Sequence, residues 1–143
     1  MSQKKRAETL RILVKGHSAL TSSARLADIL GELERIGVSG RFAARSGWLL
    51  TVIHTTRALD TTLCEVVKSK GWWNQNQQSL GAYLRALHHH NILSQIEKSY
   101  YQTNVVDVRN TYMHQAGAIP NKIEADTLLT EMHACITDVL GRV

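Results

Sequence analysis

Proline occurs once in this chain, at Pro120, so no other position forces a helix to end by losing its backbone N–H. Cysteine occurs twice, at Cys64 and Cys135, with no C-x-x-C pair. A zinc site of the usual spacing is therefore excluded, and the two thiols, each set in an apolar helical pattern, are expected to be buried in a reducing compartment. Their separation leaves a disulfide between them open. No run of 18 apolar residues exists, which excludes a membrane-spanning helix. The basic start MSQKKRAETLRILVKG has only the short apolar stretch Leu10 to Val14 and no clear small-residue cleavage site, so a signal peptide is not expected. Alternating strand patterns are scarce, and neither internal repeats nor low-complexity segments occur.

What remains is helical periodicity in a length that suits one domain: 143 residues, 43% hydrophobic and 20% charged, enough apolar material for a real core. The spacing predicts a short helix over 5–15 and a second from Ser22 to Ile36. The stripe of the second is Leu26, Ile29, Leu30, Leu33 and Ile36, and Gly37 and Gly40 end it. A long helix over 45–69 is closed by Gly71, and a polar loop, WWNQNQQ, follows. Ser79 caps a helix carrying Leu80, Leu84 and Leu87. The next begins near Ile92 or Ser94 and runs to about Gln115, with a break near Thr103–Asn104, and buries Tyr101, Val105, Val108 and Tyr112. Gly117 and Pro120 stop it, and Asn121 caps a last helix over 122–141. The stripe of that helix, Ala125, Leu128, Met132, Cys135 and Val139, is spaced 3-4-3-4, as shallow packing on a neighbouring helix requires. The fold class is all-α, a bundle of five to six helices in a single domain of residues 1–143.

The net charge of +5 is concentrated. Lys4, Lys5, Arg6, Arg11, Lys15 and Arg25 are opposed only by Glu8 in the first 25 residues, and the remainder is neutral. Arg35, Arg41, Arg45 and Arg57 then fall in a stretch with no acid between Glu34 and Asp60. Such clusters suit a polyanion such as RNA, and equally a solvated basic arm.

The segment that carries chemistry is Val108-Arg109-Asn110-Thr111-Tyr112-Met113-His114-Gln115. Ribonucleolysis asks little of a protein, because the RNA 2′-OH is itself the nucleophile. Histidine moves protons near neutrality, and arginine's planar fork holds a phosphate while charge builds on its oxygens. Asn110 can orient the phosphate or the arginine, and Tyr112 can stack on a base or pack in its stripe. On a regular helix, however, side chains five apart diverge by about 140°. One helix alone makes a poor site, whereas a two-fold dimer can bring two copies into one cleft.

This segment resembles the R-x(4–6)-H motif of the HEPN family, with Arg109-Asn110-x-x-x-His114 at the shortest spacing and a polar residue after the arginine. The order of helices over residues 45–141 also looks like the HEPN core. The basic helices of residues 1–44 fall outside the resemblance. What the resemblance implies is a metal-independent, cofactor-free endoribonuclease that works as a homodimer in the cytoplasm and leaves a 2′,3′-cyclic phosphate. Arg109, His114 and Asn110 are then the catalytic residues, and Tyr112, Arg41, Arg45 and Arg57 are expected to contact RNA. Such proteins act as toxins, in phage defence or in RNA processing, often with a nucleotidyltransferase-like antitoxin. No G-S…D-x-D signature occurs here, so that partner would be a separate chain. Other members bind RNA, nucleotides or proteins without cleavage, which is the alternative reading. A DNA-binding regulator built on residues 22–57 is a third, although no recognition-helix pattern stands out there.

Among the other residues, consecutive His88, His89 and His90 point about 100° apart on a helix and cannot converge on one ion. They read as a polar helix end, with a groove or stray-metal role as the alternative. Trp72 and Trp73 can stack on bases or plug the bundle end. His54 and His133 interrupt apolar stripes as satisfied interior histidines, Trp48 belongs to the core, and His17 is assigned no role.

Overall fold

In the computed structural model, residues 1–39 and 45–143 are described, Arg45 by its backbone alone. The described residues contain helices and no strand. In chain order the helices are α1 (Gln3–Gly16), the single turn α2 (Ser18–Thr21), α3 (Leu26–Ser39), α4 (Arg45–Ser69), α5 (Leu80–His89), α6 (Gln95–Tyr101), α7 (Asp107–His114) and α8 (Lys122–Arg142), with a π-helical turn (Gln102–Val106) between α6 and α7. The all-α bundle expected from periodicity is therefore present.

The long helix α4 is the axis of the bundle, packing on α3, α8, α5 and α2, while α1 lies across α3 and α8. Its apolar stripe supplies Val52, Leu59, Leu63, Val66 and Val67 to the core. Because neighbours surround it, α4 also buries threonines. Thr51, Thr56 and Thr62 return their hydroxyls to the carbonyls of Gly47, Ile53 and Ala58, so most of that polar seam is paired within the helix itself. The 3-4-3-4 stripe of α8 is buried throughout, with Leu129, Ile136 and Leu140 beside it. Leu10, Leu20, Ile29, Leu33 and Ile36 from the N-terminal helices belong to the same core cluster as Leu128 and Val139 of α8. Burying each such side chain contributes about 1.5–3 kcal/mol.

Two boundaries differ from the periodicity. The second predicted helix begins at Leu26 rather than Ser22, because Ser23 closes a turn ahead of it: its Oγ accepts from the Arg25 N–H and its carbonyl from the Leu26 N–H. It also continues through Gly37 to Ser39, whose buried hydroxyl donates to the Ile36 carbonyl and meets Thr51 Oγ1 on α4. A glycine inside a helix costs about 1 kcal/mol. Here the helix is held by packing, because Gly37 sits against Lys4 of α1, whose Cγ would lie 3.6 Å from an added Cβ. Gly40, the other predicted stop, lies outside the described residues.

The stops at Gly71 and near Asn91 are paired turns of one kind. Gly71 has φ +74°, with the Trp72 N–H on the Val67 carbonyl and the Gly71 N–H on the Lys68 carbonyl. Asn91 has φ 63°, with the Ile92 N–H on Leu87 and the Asn91 N–H on His88. Both are Schellman closures that satisfy the last carbonyls of a helix. They place Trp72 face to face with His90, ring centroids 4.0 Å apart; the histidine run ends a helix, and Trp72 is half-buried against the core. No cluster able to hold a metal ion occurs among the described residues. Both cysteines are free, Cys135 fully buried and Cys64 only half-buried, contrary to the expectation for Cys64. Trp48 is half-buried against the core.

Candidate functional site

The motif helix is anchored at its start before it is aimed. Ser94 and Glu97 close a reciprocal cap on α6, and Arg142 at the end of α8 donates to both the Glu97 carboxylate (2.8 Å) and the Ile92 carbonyl (3.0 Å). At the other end of α6 the buried Tyr101 donates its hydroxyl to Asp138 of α8 at 2.6 Å.

The predicted break follows at once. The Asp107 N–H bonds to the Gln102 carbonyl, five residues back, which is the widened ladder of a π-turn. Asn104 explains where it forms. Its amide donates to the Tyr100 carbonyl at 2.8 Å, and Gln102 reaches forward to Asp107 at 3.0 Å. The Asn104 side chain thus supplies a donor to a backbone carbonyl at the turn, while Gln102 ties its start to the Asp107 carboxylate. Val105 and Val106 are both buried here, and beyond them no residue of α7 is. The stripe of Tyr101, Val105, Val108 and Tyr112 is therefore interrupted, and its last two members are only half-buried.

On α7, Arg109 and Asn110 are half-buried, and His114 is the exposed last residue before Gln115 turns to an extended conformation. Among the described residues none of the three side chains makes a hydrogen bond or ion pair with the protein. The helix stays regular from Asp107 to His114, so Arg109 and His114 remain about 140° apart around it and about 7.5 Å apart along it. A single chain does not assemble them.

The charge of Arg109 is felt on α4. Burial pushes the Asp60 carboxyl up, and Arg109 and Arg25 pull it back down, with burial prevailing. Tyr112 fastens the far end of the motif helix by donating its hydroxyl to Glu124, while burial and that bond push the phenol up to about 12. Arg57 stands 63% exposed on α4, facing Glu32 of α3. Arg41 and the side chain of Arg45 lie outside the described residues.

The four motif residues thus share one element, while Arg57 lies apart on the α3–α4 face. Sequence reasoning missed Asp60, whose carboxyl feels the charges of Arg109 and Arg25 from other parts of the chain. It also missed the pairing of His54 with Glu32, Nδ1 to Oε2 at 2.6 Å, although a satisfied His54 was expected. His133 departs from expectation: its buried Nε2 has no partner among the described residues, and burial followed by the nearby Arg6 pulls its pKa down. His17 bridges two elements, donating through Nε2 to the Leu140 carbonyl (2.7 Å) and accepting the Ala19 N–H at Nδ1.

The chain matches no family model, no curated protein and no solved structure. Any functional reading therefore stands on the chemistry and placement of these side chains.

Proposed function

We propose that this chain is a metal-independent endoribonuclease of the HEPN type, in which two copies join their α7 helices and Arg109 and His114 from both line one cleft. The observation that carries this reading is that a guanidinium and an imidazole, both unpaired among the described residues, occupy one solvent-reaching helix yet diverge around it. In the cleft His114 takes the 2′-OH proton while the 2′-oxygen attacks phosphorus, and the imidazole of the second copy protonates the departing 5′-oxygen. The Arg109 guanidinium forks onto the non-bridging oxygens as their charge grows, and Asn110 steadies it. The products are a 2′,3′-cyclic phosphate and a free 5′-hydroxyl, with no cofactor required. A cytoplasmic toxin or defence effector restrained by a separate antitoxin chain, nucleotidyltransferase-like or other, is the setting this chemistry fits. No helix among the described residues is long and apolar enough to cross a membrane.

The test is incubation with RNA in EDTA beside Arg109→Ala and His114→Ala. Both variants are expected to lose cleavage, and undiminished cutting by both overturns the assignment. Light scattering should show a species near twice the 16.0 kDa chain mass at micromolar concentration.

A second reading has one observation in its favour. Arg109 is half-buried and close enough to Asp60 to act on its carboxyl, which suits a module that holds RNA, a nucleotide or a partner without cutting it. Tight RNA binding with no cleavage by the wild-type protein decides for it.

A further inference from the structure

Between α3 and α4 lies an open groove of about 450 Å³, lined by Arg25, Gly31, Glu32, Arg35, Arg57 and Thr61 among others. Its acids are already engaged. Asp28 takes the Arg25 Nε at 2.8 Å, and one oxygen of Glu32 takes the His54 Nδ1 at 2.6 Å. The other Glu32 oxygen stands 3.7 Å from Arg57 and 3.9 Å from Arg35, beyond hydrogen-bond reach of both. One half-buried carboxylate thus draws two guanidiniums from different helices toward a common point without occupying their donors. Each of those arginine side chains is 63% exposed, so an incoming anion meets them with little desolvation cost.

Gly31 leaves the floor of the groove open: a Cβ added there meets nothing within 4 Å.

We infer that this α3–α4 groove is a phosphodiester clamp, in which Arg35 and Arg57 grip backbone phosphates of an RNA strand. The inference rests on the nuclease reading for its occupant, an RNA strand, while the clamp itself is a binding claim. Thr61 is placed to hydrogen-bond the same backbone, and Glu32 with His54 acts as the positioning pair that holds the two arginines together.

The probe is a fluorescent single-stranded 2′-O-methyl RNA, which cannot be cut, titrated with the full chain across a salt series in EDTA. Arg35→Gln with Arg57→Gln should weaken binding about tenfold or more at low salt. It should also flatten the slope of log K against log salt by about 1.4, the effect of two lost single-strand phosphate contacts. Gly31→Leu, which fills the floor without touching charge and favours the helix, should weaken binding with the arginines intact. Lys5→Gln with Lys15→Gln removes the same charge from α1 and should change binding less than twofold. Helical circular dichroism confirms that each variant is folded. The clamp is overturned if the arginine pair and Gly31→Leu bind as wild type does, if the lysine pair loses as much as the arginine pair, or if the wild-type chain does not bind the probe. Lost binding in the groove variants of a chain that never cleaves RNA keeps the clamp and removes the nuclease. Cleavage that depends on Arg109 but ignores the groove does the reverse.

Discussion

Tyr112 donates its hydroxyl to Glu124, whose other carboxylate oxygen accepts the Asn121 N–H and so closes the cap of α8. One carboxylate thus ties the end of the motif helix to the start of the next and fixes where His114 emerges. Tyr112→Phe should cost about 1 kcal/mol of stability and leave the packed ring in place. The bond lowers the Glu124 carboxyl and helps raise the phenol to about 12, so its contribution has a pH window. It is present between the ordinary carboxylate and phenol values, is lost as acid protonates Glu124, and is lost again as pH rises from 10 through about 12. Urea midpoints of the two proteins should differ at pH 7 and converge at both extremes. A constant difference across that range rejects the bond.

Glu97 receives Arg142 and the Ser94 N–H, and these bonds hold its carboxyl down to about 2 from the usual 4.5. The folded chain keeps this group ionised where the unfolded chain protonates it, so the stabilisation is present above pH 4.5 and fades as pH falls through about 2. Glu97→Gln should lower the urea midpoint at pH 7, with the gap narrowing steadily below pH 4.5. Because the pair is substantially exposed, salt should shrink the effect. A gap that widens in acid contradicts the ion pair.

Gly71 sits at φ +74°, where a side chain is strained even in open space. Gly71→Ala should therefore destabilise by about 1 kcal/mol, with no gain from helix propensity because the residue lies beyond the helix. Thermal unfolding measures it, and an unchanged midpoint shows that the α4 closure does not hold this conformation in solution.

How much of this was legible depended on what each feature asks of the chain. The α8 stripe was read residue by residue, because one face of a helix is a local property and apolar spacing encodes it directly. The caps at Ser79 and Asn121 and the stop at Gly71 were equally local, each needing one residue type at one position, whereas the motif helix already ends at His114 and Gly117 (φ +78°) lies in the turn beyond. The break before Arg109 was visible only as an Asn–Thr interruption of a stripe. That it is a π-turn depends on which carbonyl the Asp107 N–H selects, which periodicity does not encode. Gly37 misled for the opposite reason, since packing on α1 outweighs a weak propensity. The site divides along the same line. Arg109, Asn110, Tyr112 and His114 are neighbours in sequence and were found together. Glu32, His54 and the arginines Arg35 and Arg57 meet only once α3 and α4 are packed, and no spacing along the chain announces that.

His133 carries the clearest pH signature in the fold. Its Nε2 is buried without a partner among the described residues, and burial, reinforced by Arg6, lowers its affinity for a proton below the ordinary 6.5. The unfolded chain, with its imidazole in water, takes up that proton first. Between pH 6.5 and the lowered folded value, the unfolded state therefore binds more protons than the native one, and stability must fall as pH falls. His133→Leu removes both the titration and the unpaired nitrogen. The variant should match or exceed wild-type stability at pH 7.5 and gain on it as the buffer is taken to pH 5.5, with urea midpoints measured at each step. Proton NMR of the His133 ring gives the independent check. A ring that titrates at or above the ordinary value, or a wild-type deficit that does not grow in acid, shows that this imidazole has found a partner or reaches water.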